Sequence, residues 1–248
     1  MGIGDALMAA GEARLLHEQQ KLPVLIVGID GRPRWSEVYE GNPYLIKWHQ
    51  RARRHIRMVN GPNARPYIAS KTDTKWTWKP YQPKPAEVFL TAEEKAFAEP
   101  YRGLIMVEPN GKAIGHNNKL WLWDRWLQLV EESTLQFVQC LPHEGYRPLP
   151  VFKHVLTPTF RHAMAVLSVA RAFVGIEGGL MHAAAALGTP SVILWSEFIS
   201  PEITGYPQFK NLRHAGKPCG MRVDCVGCCK SMEAITIAEV AQALKEVL

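Results

Sequence analysis

Glu177, Gly178, Gly179 and His182 stand between two apolar runs and carry the densest potential chemistry of the chain. Two adjacent glycines permit a tight turn and let backbone approach a ligand closely. Residues 172–176 suit a strand buried on both faces, and the alanine-rich residues 180–187 suit a helix stopped by Gly188 and Pro190. Free N–H groups at that helix start would face the carboxyl end of the strand, where open α/β sheets bind anions. Glycines retained only for packing would give the same spacing. The titratable Glu177 and His182 beside an otherwise apolar turn favour a phosphate or sugar-phosphate pocket.

Asp5 follows Gly2-Ile3-Gly4 and sets a carboxylate at another helix start. It either complements the helix dipole or, placed in a cleft, takes a proton from an acceptor hydroxyl. Residues 108–119 lie between a strand and a helix, where ligand loops occur, and contain Asn110, Lys112 and Lys119. Either lysine is a compact charge able to neutralise a diphosphate without a metal ion, or a surface lysine. Four thiols, Cys219, Cys225, Cys228 and Cys229, fall within eleven residues. They could hold a structural zinc or iron, Cys225 and Cys228 having knuckle spacing, or remain reduced and metal-free. Cys140 ends an apolar run and reads as a small core residue.

Arg51, Arg53, Arg54 and Arg57 concentrate much of the net charge of +6. Such a run is either a solvated face or a dock for an anionic partner, a phosphorylated glycan or nucleic acid. Trp35, Trp48, Trp76 and Trp78 would then be available for base stacking, unless they belong to the core.

Several classes are disfavoured. There is no Walker pattern, no Gly-x-Gly-x-x-Gly after the first strand and no Gly-x-Ser-x-Gly elbow. A hydrophobic fraction of 47% with 21% charged residues is that of a globular protein, and no run of eighteen apolar residues occurs. Without a secretory pattern at its start, the chain is expected to be cytoplasmic.

The elements that must position these residues alternate. Helices are expected over 4–20, after the Thr91-Ala92-Glu93-Glu94 capping box, and over 120–131, 159–171, 180–187 and 237–247. Strands are expected over 23–29, 55–59, 87–90, from 104, over 135–140, 172–176 and 191–195, with 71–84 a turn-rich segment. The pattern predicts an α/β fold with parallel sheets in two Rossmann-like halves, divided into residues 1–100 and 101–248.

Four segments in order resemble glycosyltransferase family 9, the ADP-heptose:lipopolysaccharide heptosyltransferases. They are Gly4-Asp5-Ala6-Leu7, Lys119-Leu120-Trp121 with its following helix, Glu177 through Pro190, and the cysteine loop with the terminal helix. The resemblance is good over 103–248 and thin over 20–100, and Glu177 and Gly178 stand where the family has Asp and Thr or Ser. It implies a GT-B-like fold with a reduced N-terminal half and metal-independent, inverting transfer of a sugar from a nucleotide diphosphate. Asp5 would be the base, and Lys119, Gly178, Gly179 and His182 would serve the donor. The acceptor implied is a lipopolysaccharide-type glycan. A modified DNA base as acceptor, or a non-catalytic sugar-nucleotide or nucleic-acid binding module, are the alternatives.

Overall fold

The computed structural model describes residues 2–49, 54–61, 63–111, 117–142, 146–214 and 216–248. The first part holds helix α1 (Ile3–Gln20), strands β1 (Val24–Val27), β2 (Ile56–Val59), β3 (Ile68–Lys71) and β4 (Trp76–Trp78), and helix α2 (Ala92–Ala98). The second holds β5 (Ile105–Glu108), α3 (Trp123–Glu131), β6 (Phe137–Leu141), β7 (Lys153–Leu156), α4 (Phe160–Val169) and β8 (Ala172–Ile176). It continues through α5 (Gly179–Leu187), β9 (Ser191–Trp195), α6 (Pro201–Thr204), β10 (Lys210–Arg213), α7 (Val226–Ala234) and α8 (Ile237–Val247).

Six strands form one sheet in the order β7-β6-β5-β8-β9-β10, every pair parallel. The chain enters at β5, moves outward to β7, then crosses back to β8 and moves outward the other way. This is the doubly wound order, and its reversal lies between β5 and β8, where such sheets form a ligand crevice at the strand carboxyl ends. Neighbouring residues of one strand feed opposite layers. Phe173, Ile193 and Trp195 pack with α1, α4 and α5, whereas Val174, Val192 and Leu194 pack with Trp126 and Leu129 of α3 and Val240 and Leu244 of α8. Both faces are therefore covered, which is why these strands read as continuous apolar runs.

The first part is a smaller α/β half. Its sheet is the parallel pair β1–β2, with Leu45 bridged to Val24 on the other side of β1. The two Rossmann-like halves share one apolar layer, in which α1 lies against α5 and α2 against α4. Arg161 of α4, 6% exposed, ties them together: it pairs with Glu94 (2.5 and 2.7 Å) and donates to the carbonyls of Glu37, Glu40 and Phe89. The capping box forms as expected, Thr91 Oγ1 accepting from Glu94 N and Glu94 accepting from Thr91 N.

Three expectations are corrected. Residues 87–90 are not a strand. Glu87 instead anchors the segment by accepting from Tyr44 Oη (2.7 Å) and Arg14 (3.3 Å), while the β1 edge is already taken by residues 44–46. The 71–84 segment is not all turn, since β3 and β4 form an antiparallel hairpin. The end of the cysteine segment is helical in α7, so Cys225 is a helix cap and Cys228 lies one turn later.

Candidate active site at the strand crossover

The crossover places the glycine turn between β8 and α5. Glu177 follows β8, and Gly178 caps α5 with extended backbone (φ 171°), so the turn needs no left-handed glycine. A Cβ at Gly178 would meet nothing closer than 4.0 Å, whereas one at Gly179 would lie 3.4 Å from Phe160 and 3.5 Å from Ile3. Gly178, the residue that caps α5, makes no side-chain cap bond to its first-turn N–H groups. Such an end favours negative charge through its unpaired donors and the helix dipole.

Lys119 reaches Glu177 in a direct ion pair, their side chains 27% and 10% exposed. Its Nζ also lies 4.9 Å from the centre of the Phe198 ring. Asn118, beside it, is locked: its Nδ2 donates to Met221 O and Val223 O, and its Oδ1 accepts from Cys225 N. Lys119 therefore projects from a backbone tied to the cysteine loop.

Asp5 lies in the first turn of α1 and is 8% exposed. Its Oδ2 pairs with Arg65 Nη2 (2.8 Å) and its Oδ1 accepts from Tyr67 Oη (2.7 Å). Burial first, then the Asp5 charge, pushes the Tyr67 phenol up, so it stays a donor. His182 is 2% exposed, and its Nδ1 shares a hydrogen bond with Tyr206 Oη (2.9 Å). Burial lowers it to about 4, which keeps the ring neutral near pH 7. Asp5, Glu177 and Lys119 all act on His182 through charge, and a Cβ at Gly4 would stand 2.7 Å from its Cδ2. The amino ends of α1 and α5 thus meet at this histidine. An aromatic wall of Tyr67, Trp78 and Phe198 lines the same region, with ring centres 6.1 and 5.3 Å apart.

Beyond Lys119, a cavity of about 390 Å³ opens among Pro109, Asn110, Gly111, Leu120, Trp123 and Arg147. Arg147 stacks 3.9 Å above Trp123. Asn110 is held by Glu108: its N–H donates to Glu108 Oε1 (2.7 Å), and its Nδ2 donates to Arg147 O (3.1 Å). Glu108 also accepts from Tyr146 Oη (2.9 Å), and burial raises its carboxyl to about 8.

Lys112, Arg51 and Arg53 lie outside the described residues. Arg54 is exposed, and Arg57 donates to Gly31 O (2.9 Å). Of the four tryptophans considered for stacking, Trp48 is 67% exposed and Trp35 donates to Glu40 (2.7 Å). Trp76 and Trp78 are packed into the aromatic wall, with Trp78 donating to Phe198 O (3.0 Å).

Cys219, Cys225 and Cys228 bring their sulfurs within 4.8 Å of one another. The Cys219–Cys228 and Cys219–Cys225 separations are 3.4 and 3.8 Å. Sulfurs about 2.3 Å from a tetrahedral zinc stand about 3.8 Å apart, so these three thiols fit a metal ion. A hydrogen bond from Cys228 lowers the Cys219 thiol to about 6, and the same contact raises Cys228. Cys229 is exposed, lines the 390 Å³ cavity and stands apart from this cluster, which corrects the four-thiol grouping. The reason is helical phase: Cys228 faces the core while Cys229, the next residue of α7, turns outward.

Arg65, Tyr67, Phe198 and Tyr206 escaped sequence reasoning. Each sits in a loop or short segment with no periodic signal, and is defined by what it touches across more than twenty residues.

Residues 154–223 match the family model of glycosyltransferase family 9 (heptosyltransferase), a span that starts in β7, contains Glu177–His182 and ends inside the cysteine loop, before Cys225. Among solved structures, the chain is similar to the E. coli ADP-heptose lipopolysaccharide heptosyltransferase II, at 19% identity over 65% of this chain and 53% of that chain (TM-score 0.49). A glycosyltransferase family 9 protein from Veillonella parvula DSM 2008 shares 12% identity over 65% and 53% (TM-score 0.47). The iron-containing dodecameric glycosyltransferase TibC of enterotoxigenic E. coli H10407 shares 14% over 69% and 49% (TM-score 0.44). The chain spans about half the length of these structures. No curated protein matches it. Two Rossmann-like halves with parallel sheets are consistent with a GT-B-like fold, and no helix among the described residues is long and apolar enough to cross a membrane.

Proposed function

We propose that the chain is a glycosyltransferase moving a sugar from a nucleotide diphosphate to a hydroxyl of a glycan acceptor, without a catalytic metal and with inversion. One observation carries this reading. The amino end of α5, Lys119 and Asp5 converge at the β5/β8 crossover, where a doubly wound sheet binds its ligand. Residues 101–248 would hold the donor and residues 1–100 would present the acceptor.

In this reading the nucleoside occupies the cavity beside Asn110 and Trp123, and the diphosphate spans Lys119 and the α5 amides. Lys119 must then share its charge between Glu177 and phosphate. As the glycosidic bond breaks, negative charge grows on the diphosphate, and preorganised donors stabilise it most at that moment. Asp5 Oδ1 and Oδ2 each hold one partner, which leaves carboxylate lone pairs for an acceptor hydroxyl. The hydroxyl oxygen attacks the anomeric carbon, its proton passes to Asp5, and the bonding pair leaves with the diphosphate. His182, neutral and bonded to Tyr206, would act by positioning α1 against α5. A metal at Cys219, Cys225 and Cys228 would be structural, cross-linking the loop that fixes Asn118.

The test is release of nucleoside diphosphate from a panel of nucleotide sugars, with glycan extracts as acceptors and EDTA present. Acceptor-dependent release that Asp5→Asn lowers a hundredfold or more, with donor affinity retained, supports the assignment. Equal turnover by Asp5→Asn refutes Asp5 as the base. A second reading, a binding module, is favoured by the Asp5–Arg65 pair, and donor binding with no turnover in any combination would establish it.

A further inference from the structure

We infer that the outer face of the β1–β2 sheet docks single-stranded nucleic acid, with a guanidinium cluster for the phosphodiester backbone and an indole-walled groove for a base. This surface lies outside the transferase reading and is testable without it.

The register of β1 defines the face. Val24 and Ile26 point into the apolar layer that contains α1. Leu25 and Val27 alternate with them and point the other way. Leu25 pairs with Arg57 and Val27 with Val59, which sets an arginine and an exposed valine of β2 on the same side. Three guanidinium groups then converge on the turn that follows β1. Gly31 adopts the left-handed conformation there (φ 73°), and its carbonyl accepts from Arg57 Nη2 (2.9 Å). Arg34 Nη2 stands 2.9 Å from Asp30, and Arg32, its side chain 82% exposed, stands 3.9 Å from the same carboxylate. Among the described residues, Asp30 is the carboxylate paired with this cluster, and Arg57 pairs with none. One negative charge therefore orders three positive ones without neutralising them. Exposed pairs of this kind are weak, and guanidinium groups exchange such partners readily for phosphate oxygens.

Arg34 also walls a groove of about 300 Å³, together with Pro33, Trp35, Lys47 and Trp48 around Leu25. One indole is fixed and the other open. Trp35 donates to Glu40 (2.7 Å) and packs edge-on against Tyr39 (ring centres 5.4 Å apart), whereas Trp48 is largely exposed. Lys47 stands 4.8 Å over the Trp35 ring and pairs with Glu40 (2.8 Å). Leu25, the floor, is 2% exposed, so the groove is recessed. A bilayer is met by protruding apolar groups, whereas a recessed slot between indoles takes an inserted planar ring. Every nucleobase offers a face for such stacking when it is unpaired. Because Arg34 belongs to both cluster and groove, a phosphate and a base are recognised side by side, the repeat that a single strand presents.

Fluorescence anisotropy of a labelled oligothymidylate, which stays unpaired, titrated with the full chain provides the test. The surface predicts saturable binding that weakens between about 50 and 200 mM salt. Arg32→Gln and Arg57→Gln, both at exposed positions, should each make the log–log salt slope shallower by about 0.7, the loss of one phosphate contact. Trp48→Ala should weaken binding about tenfold with the slope unchanged, the effect of one lost base stack. Thermal unfolding of the three variants should match wild type, since each side chain is exposed. No anisotropy change at the lowest salt, unchanged affinity and slope in all three variants, or tighter binding of the matching duplex overturns the inference. Heparin supplies charge without bases, so a Trp48→Ala effect on heparin as large as that on the oligonucleotide also overturns it. Ile29 and Val59, both exposed, flank the cluster, which makes phosphatidylglycerol vesicles the necessary second arm. Protein that sediments with the vesicles and ignores the oligonucleotide carries a bilayer surface, and the inference fails.

Discussion

Gly4→Ala probes the contact that brings α1 to α5, and its size follows from the geometry. The added Cβ would stand 2.7 Å from His182 Cδ2 and 3.3 Å from Nε2. Carbon atoms prefer roughly 3.5–4.0 Å, so the overlap is about 1 Å. His182 has little freedom to yield, being 2% exposed and bonded to Tyr206, itself 1% exposed. Forcing a methyl into such packing costs about 1–3 kcal/mol, while the better helix propensity of alanine returns at most about 1 kcal/mol. The net loss is centred near about 1.5 kcal/mol within a range of about 0–3, and the central value corresponds to a fall in Tm of roughly 3–6 °C in a chain of this size. Gly178→Ala is the matched control, since its Cβ meets open space on an extended backbone, and its stability should stay within about 0.5 kcal/mol of wild type. Differential scanning calorimetry of the three proteins provides the measurement. A Gly4→Ala protein as stable as wild type, or more so, would show that α1 does not rest on His182 and that Asp5 is not delivered to the crossover in the manner described.

Other consequences can be measured on the same material. His182 is lowered from 6.5 to about 4, so its contribution is intact above pH 6.5 and is lost as pH falls through 4, about 3 kcal/mol in all. Urea midpoints between pH 4 and 7 should lose that slope in His182→Gln. Glu108 has the opposite sign: raised from 4.5 to about 8, it contributes fully below pH 4.5 and its contribution is lost as pH rises through 8. That span is about 5 kcal/mol, and Glu108→Gln should flatten the alkaline arm of a urea series extended to pH 9. Zinc titrated into the reduced protein should bind one equivalent by elemental analysis. Cys219→Ser should abolish that binding, while Cys229→Ser should leave it intact.

Legibility in the sequence followed burial. β8 and β9 matched the expected strands 172–176 and 191–195, and α8 ran over the expected 237–247, because a strand covered on both faces and a capped amphipathic helix each leave a periodic signature. Edge strands β7 and β10 were not foreseen. Each has a neighbour on one side only and carries charged residues, Lys153 or Lys210 and Arg213, that mask the pattern. The hairpin β3–β4 was hidden for a related reason: its exposed Lys, Thr and Ser residues read as turn, and its indoles Trp76 and Trp78 pack against Phe198 of the other half of the chain. Asp5, Lys119, Glu177 and His182 were legible as separate polar residues at strand and helix ends. Their partners Arg65, Tyr67 and Tyr206 were not, since a contact across 24 to 62 positions has no local spacing to betray it.

Donor binding at the crossover is tested most directly by isothermal titration of ADP, GDP, UDP, CDP and dTDP in EDTA, against wild type and Lys119→Gln. At least one nucleoside diphosphate should bind wild type without a divalent metal, and Lys119→Gln should weaken that binding tenfold or more through the lost charge on the diphosphate. Absence of binding by all five, or equal affinity in Lys119→Gln, would contradict the placement of a nucleotide-sugar donor between Lys119 and the amino end of α5.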